Sequence, residues 1–175
     1  MLLFPCLDSV QKENNVDTNN PEETKRPLIY FSGSIRGGRD DQALYLQIIN
    51  LLGEYGEVLT EHIGNASLTA HGEGDRTDDY IFQRDKQWVK DWTFVVAEVT
   101  TASVGVGMEL GYADEWGKPT LCLYRPQPGR KLSAMVGGCP SFSVRTYESG
   151  EDLPVILAEF FSGSLMRGIG QLLKS

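Results

Sequence analysis

The chain has 175 residues and a mass of 19.4 kDa, the size of one ordinary domain. Apolar residues make up 41% of it and charged residues 23%, a balance that excludes a disordered or fibrous protein. The formal net charge is −8, so we expect no nucleic-acid partner and no anionic membrane partner, because both bind through surplus Lys and Arg. A small anion stays compatible, since one Arg beside a helix N-terminus can hold a phosphate in an acidic protein.

The residues that usually ligate metals are few and scattered. The histidines, His62 and His71, are too few for a histidine-based zinc site, and no cysteine pair has metal-ligand spacing. We therefore expect no metal and no cofactor. The apolar N-terminal stretch, residues 1–7, is too short for a signal-peptide core or a membrane span. These features predict a soluble intracellular protein.

Apolar runs and helical periodicity alternate along the chain. Residues 1–26 lack sustained periodicity and are interpreted as a disordered N-terminal tail. A domain is predicted over 27–162, and the tail 163–175 is left uncertain. Strands are predicted at 28–31, 57–60, 93–97, 119–124 and 141–146. Helices are predicted from Asp40, as the cap, to about 55, at 77–90, from 103 to near 117, within 125–138, and at 152–161.

This alternation predicts the fold class α/β, a Rossmann-like three-layer domain with a mostly parallel sheet of about five strands. In such sheets, ligands bind beyond the carboxyl ends of the strands, where the strand order reverses. The loops that follow Phe31, Thr60, Ala97 and Tyr124 are therefore the places where a site is expected.

The loop over residues 32–39 has the composition of a phosphate-binding turn. Its glycines permit positive φ and close approach of backbone amides to a ligand, and Ser34 and Arg36 add side-chain donors. The loop matches neither the Walker sequence nor the dinucleotide fingerprint. A plain glycine-rich turn with a surface Arg is the alternative.

The segment from Glu98 to Glu109 joins the most apolar strand to a helix. Ser103 lies in the capping region, which leaves free amides for an anion. Glu109 lies nearly two turns into the helix, where the positive end of the helix dipole favours the ionised form that a carboxylate nucleophile needs. A solvent-exposed Glu is the alternative interpretation.

A second carboxylate, Asp85, lies on the helix before the central strand. Its apolar neighbours could turn it toward a pocket, although a surface Asp beside Arg84 and Lys86 is the ordinary alternative. With Tyr30, the chain then offers two carboxylates and a phenol near two anion-binding turns. Two carboxylates without a histidine or metal set suit glycosidic-bond chemistry, and the adjacent phosphate turns suggest the sugar of a nucleotide.

With these residues, the chain closely resembles the 2′-deoxynucleoside 5′-monophosphate N-glycosidases, which are relatives of the nucleoside 2-deoxyribosyltransferases. The resemblance covers residues 28 to about 161. The stretches that carry it are YFSGSIRGGR (30–39), VLTEH (58–62), QRD (83–85), VVAEVT (95–100), SVGVGMELG (103–111) and LCLYRPQPGRKLSAM (121–135). Ser32 departs from the pattern, since vertebrate members have cysteine there, and the resemblance assigns it no catalytic role.

The resemblance implies a role for each matching residue. Glu109 is the expected nucleophile at C1′, Asp85 assists proton transfer and holds the sugar, and Tyr30 orients the nucleophile. The expected sugar-phosphate pocket is lined by Gly33, Ser34, Ile35, Arg36, Ser103 and Gly105. Ser133 is expected to bind phosphate in the site of a neighbouring subunit of a homodimer. Met135 is also expected to bind the substrate, and His62 is expected near the base.

The implied activity is hydrolysis of 2′-deoxynucleoside 5′-monophosphates, including 5-hydroxymethyl-dUMP, to free base and 2-deoxyribose 5-phosphate through a covalent Glu109 intermediate. Two alternatives are a deoxyribosyltransferase that exchanges bases and a catalytically silent nucleotide-binding protein. The resemblance also implies a location in cytoplasm and nucleus.

Overall fold

The structure is a computed structural model that describes residues 26–34, 41–58 and 76–172, with side chains as far as Ser164. Its described strands form one sheet in the order β2-β1-β3-β4-β5, and every pairing is parallel. The strands are β1 (Leu28–Ser32), β2 (Glu57–Val58), β3 (Phe94–Glu98), β4 (Thr120–Tyr124) and β5 (Phe142–Thr146). The predicted α/β class and five-stranded parallel sheet are confirmed.

Helices cover both faces of the sheet, which gives three layers. The helices are α1 (Gln42–Leu52), α2 (Asp78–Asp91), α3 (Val104–Glu115), α4 (Ala134–Gly137) and α5 (Leu153–Leu172). Apolar residues of α1 and α5 pack on one face of the sheet, and those of α2 and α3 pack on the other.

Alternation along the strands decides which layer each side chain meets. In β1, Ile29 and Phe31 join the core under α1 and α5, whereas Tyr30 joins the core under α2. In β3, Val96 points to the α1 side and Ala97 to the α3 side. Because successive strand residues face opposite ways, a residue's parity assigns it to a layer before any tertiary contact is considered.

Two helix boundaries differ from the predictions. Helix α1 follows Asp41 and ends at Leu52, and the Asp41 carboxylate binds Arg125 instead of capping the helix; the predicted cap, Asp40, lies outside the described residues. Helix α5 continues past the predicted end at 161 to Leu172. It runs through Gly163, because a glycine inside a helix costs only about 1 kcal/mol and no proline follows.

Residues 1–25 and 173–175 lie outside the described part, so the predicted tails and domain boundaries stay predictions. Within the described residues, no helix combines the length and apolar character needed to span a bilayer.

Gly56 marks the close approach of β2 to β1. A Cβ at Gly56 would lie 2.3 Å from the Pro27 carbonyl oxygen and 2.8 Å from Cδ1 of Ile29. Gly56→Ala should therefore lower the free energy of unfolding by about 1–3 kcal/mol, because the chain has to shift to admit the methyl group. Gly163→Ala is the matched control, since nothing lies within 4 Å of its Cβ and Ala favours a helix. Thermal melts that lose no stability for Gly56→Ala would contradict the packing described.

Candidate active site

The strand order reverses between β1 and β3, which are adjacent in the sheet. The chain leaves β1 toward α1 and β2, and it leaves β3 toward α3 and β4. Connections that depart in opposite directions open a crevice at the carboxyl ends of the two strands. Ser32 at the end of β1 is paired in register with Ala97 of β3, so the loops that follow them flank this crevice.

Glu109 enters the crevice from α3, where it is partly buried in the second helical turn. Its carboxylate accepts a hydrogen bond from the Ser32 hydroxyl and another from the Tyr30 hydroxyl. Tyr30 and Ser32 lie two residues apart on one face of β1, and both are fully buried. The strand thus presents two hydroxyl donors to one carboxylate.

Asp85 approaches the same group from α2. This helix begins after Thr77, whose hydroxyl accepts from the Tyr80 amide at 3.3 Å. The Arg84 Nε donates to Asp85 Oδ1 at 2.8 Å, so Asp85 pairs with Arg84 as the alternative of a surface Asp beside Arg84 suggested. The negative charge of Asp85 nevertheless raises the pKa of both Glu109 and Tyr30. The structure therefore brings together the three residues that the sequence predicted as catalytic.

The Glu109 carboxyl group has a pKa raised from 4.5 to about 7. Burial is the largest cause; the hydrogen bond from Ser32 lowers the pKa, the charge of Asp85 raises it, and the bond from Tyr30 lowers it. The net direction is opposite to that expected from the helix position alone, because loss of water outweighs the helix dipole. A carboxylate poised near neutral pH in a crevice is typical of a functional group.

The expected phosphate-binding turn is described at Gly33 and Ser34. Gly33 does not have a positive φ, since the described glycines that do are Gly117 and Gly129. A Cβ at Gly33 would lie 3.1 Å from the Tyr45 ring, so close packing explains this glycine. Ser34 is buried, and its hydroxyl oxygen has no hydrogen-bond partner in the described structure. That unsatisfied hydroxyl is suited to a ligand oxygen.

The β3–α3 turn supplies further polar groups. Ser103 is the N-cap of α3, but its side chain makes no capping hydrogen bond. A Cβ at Gly105 would lie 3.8 Å from the Ser103 hydroxyl oxygen, an ordinary contact. Ser133 and Met135, at the start of α4, are exposed on the surface of the protomer. The remaining expected site residues, Ile35, Arg36 and His62, lie outside the described residues.

A second buried carboxylate network was not predicted from the sequence. Glu98 is fully buried and accepts hydrogen bonds from the Thr100 hydroxyl and, at 3.0 Å, from the Tyr147 hydroxyl. The Thr100 hydroxyl accepts from the Arg125 amide at 2.8 Å, and the Arg125 guanidinium binds Asp41. This network joins the loops after β3 and β4 to the start of α1.

Sequence reasoning also assigned no role to Ser32. The sequence feature that could have indicated a role is that Ser32 lies two residues after Tyr30 at the end of a buried strand, so both side chains are on the same face.

Metal ligation has no support within the described ranges, since no three His, Cys, Asp or Glu side chains there are grouped as a metal site would need.

The fold and the site define a class: an α/β protein with paired carboxylates at the reversal point of a parallel sheet. The model of the nucleoside 2-deoxyribosyltransferase family matches residues 29–135. The chain therefore belongs to the nucleoside 2-deoxyribosyltransferase family.

The chain is also similar to individual proteins of known name or structure. A Nematostella vectensis protein is 53% identical over 138 residues, covering 77% of this chain and 93% of that protein; its name gives a provisional assignment as 2′-deoxynucleoside 5′-phosphate N-hydrolase 1. The 5-hydroxymethyl-dUMP N-hydrolase of Mus musculus is 49% identical over 144 residues, covering 80% of this chain and 83% of the mouse protein. The solved CMP N-glycosidase BcmB of Clostridium botulinum shares the fold, with a TM-score of 0.53 and 15% identity over 76% of this chain and 98% of its own.

Burial of Glu109 predicts a cost to stability that depends on pH. The unfolded chain releases this proton near pH 4.5, whereas the folded protein holds it to about pH 7. The folded state is thus increasingly disfavoured as pH rises through this window, by about 3 kcal/mol in full. Glu109→Gln removes the titrating group. The melting temperature of Glu109→Gln minus that of the unchanged protein should therefore increase from pH 5 to pH 8. A difference that stays constant across this range would contradict the burial of an ionisable carboxyl group.

Proposed function

We propose that this chain hydrolyses the N-glycosidic bond of 2′-deoxynucleoside 5′-monophosphates, including 5-hydroxymethyl-dUMP, to free base and 2-deoxyribose 5-phosphate. The observation that carries the proposal is the convergence of Glu109, Asp85 and Tyr30 at the reversal point of the sheet. The names of relatives that share about half of its residues supply the substrate class.

The proposed reaction has two steps at C1′. In the first, a Glu109 oxygen forms a bond to C1′ while the bond from C1′ to the base nitrogen breaks. The base leaves with the electron pair of that bond and takes up a proton from solvent, a transfer that we assign to Asp85. In the second, a water oxygen bonds to C1′, the bond from C1′ to the Glu109 oxygen breaks, and the water proton passes to the Asp85 carboxylate, which returns it to solvent. Both steps follow the double displacement of retaining glycosidases.

A monophosphate fits the turns around the crevice. The hydroxyls of Ser34 and Ser103 are free of the bonds that would occupy them locally, and Arg36 supplies a positive charge by its resemblance to the family motif. Charge-assisted hydrogen bonds favour a phosphate dianion over a free 5′-hydroxyl. The base-exchange alternative needs an acceptor base in the second step, so adding free base separates the two reactions. A silent binding protein would not need a buried carboxylate held by two donors.

Chromatography of dGMP and 5-hydroxymethyl-dUMP incubated with the protein tests the activity. Glu109→Gln should abolish release of base, because an amide cannot replace the carboxylate as nucleophile. Glu159→Gln is the matched control, since it makes the same change at an exposed position of α5, on the other face of the sheet, and should retain full turnover. Substantial release of base by Glu109→Gln would show that another group attacks C1′.

We also propose a homodimer in which Ser133 enters the site of the neighbouring subunit. One face of α3, which we call the α3 face, consists of Val104, Gly107, Met108 and Gly111. Val104 is 91% exposed and Met108 50% exposed, and a Cβ at Gly107 or Gly111 would meet nothing within 4 Å. Residues at this spacing form one stripe along a helix, and the two glycines let another helix approach closely.

A second copy is the occupant that the site itself favours. Glu109 belongs to the same helix as the α3 face, so a protomer packed there lies next to the crevice. Met135 is 84% exposed beside Ser133, as an apolar side chain is when its partner surface belongs to another protomer. Pairing across α3 would bury these groups and bring α4 of one protomer toward the other.

Gly111→Leu should convert the dimer to a monomer, because four added carbons stand where the partner helix approaches. Light scattering after size exclusion measures the change, and hydrolysis should fall with it. The matched control is Gly163→Leu, the same substitution at a helical glycine of α5 with open space around it. If Gly111→Leu remains dimeric, the partner does not pack on the α3 face.

A further inference from the structure

Ser32 lies at the carboxyl end of β1 and has no exposed surface. Its neighbours in sequence alternate with it, so its side chain lies on the Tyr30 face of the sheet, below α3. Its hydroxyl donates to Oε2 of Glu109, 77 residues further along the chain. This long-range contact joins the end of β1 directly to the Glu109 carboxylate.

A buried hydroxyl has few ways to satisfy its hydrogen. Placed at the end of an apolar strand, Ser32 would be costly without a partner, and the Glu109 carboxylate is the acceptor that it meets. The Tyr30 hydroxyl reaches the same carboxylate from two residues earlier. Two donors on one rigid strand restrict rotation of the carboxylate plane, which a single donor would leave free to swing.

We propose that Ser32 is a positioning residue for the nucleophile: its hydroxyl fixes the Glu109 carboxylate and favours its ionised form. The inference rests on the proposed function, in which Glu109 attacks C1′. Ser32 itself touches no substrate in this account. It acts through Glu109, because its hydrogen bond sets the orientation and the basicity of the Glu109 carboxylate.

The effect of the Ser32 hydroxyl on the protonation of Glu109 can be separated from the effects of the other groups that face this carboxylate. Tyr30 approaches from β1, and Asp85 with its partner Arg84 approaches from α2. Burial and Asp85 favour the protonated carboxyl group, whereas Ser32 and Tyr30 favour the ionised one. Removing only the Ser32 hydroxyl leaves both opposing influences in place, so the balance should move toward the protonated form.

The pH dependence of kcat/KM, which reports groups of the free enzyme, tests this inference. Ser32→Ala should move the acid limb for dGMP hydrolysis upward by about one to two pH units, as expected for loss of a hydrogen bond to a charged group. Ser32→Cys, which keeps a weak donor of similar size, should give an intermediate limb. The substrate phosphate titrates near pH 6 with every variant, so the difference between variants is the quantity to read.

Ser143→Ala is the control, because it removes a hydroxyl from another parallel strand, β5, and should leave the acid limb unchanged. KM measured well above each variant's own acid limb, where Glu109 is ionised, should change little for Ser32→Ala while kcat falls. An acid limb of Ser32→Ala that coincides with that of Ser143→Ala, while hydrolysis still requires Glu109, would overturn the positioning role alone.

A spectroscopic titration tests the pair without turnover. The infrared carboxyl band that disappears in Glu109→Gln belongs to Glu109, and it should titrate at higher pH in Ser32→Ala than in the unchanged protein. Failure of the proposed function would appear separately, as absence of hydrolysis with this titration shift intact. An identical titration in both proteins would overturn the inference even if Ser32→Ala were inactive for another reason.

Discussion

A carboxylate withdrawn from water, yet supplied with two hydroxyl donors, is the feature on which the site depends. Burial alone would hold Glu109 protonated and unreactive at neutral pH, and full hydration would leave it mobile and weakly nucleophilic. The bonds from Tyr30 and Ser32 offset part of the burial, so the pKa lies at about 7. Both donors belong to β1, where parallel pairing with β3 limits their movement. The sheet is thus the rigid element that sets the carboxylate's environment.

The two buried glutamates differ in how far each is open to the crevice. Glu98 and Glu109 both have raised pKa values, with burial as the main cause. Glu98 ends β3 and contacts Tyr147, which packs with the α1 and α5 core; Glu109 meets the Tyr30 face. Glu98 is enclosed by Thr100 and Tyr147, so its hydrogen bonds shape the loops that flank the crevice. Glu109 is left partly open to that crevice, which is the difference that a reacting group requires.

Local patterns predicted the strands, the parallel sheet and the crevice, because apolar runs and the positions of loops after strands are properties of neighbouring residues. They also pointed to Glu109, Asp85 and Tyr30, although the roles came from resemblance. Contacts between distant residues were not predictable in the same way. Nothing near Asp41 indicates that it binds Arg125 instead of capping its helix, and nothing near Ser32 indicates Glu109, 77 residues away. Gly33 also lacks the positive φ that the turn composition suggested, and contact with the Tyr45 ring restricts a side chain there.

Covalent capture of the sugar on Glu109 is the central claim of the account. Mass spectrometry of protein quenched in acid during turnover of 5-hydroxymethyl-dUMP, followed by peptide mapping, tests it most directly. We expect 2-deoxyribose 5-phosphate attached to the peptide that contains Glu109, at the Glu109 side chain. Attachment at Asp85 or at another residue would contradict the assignment of the nucleophile.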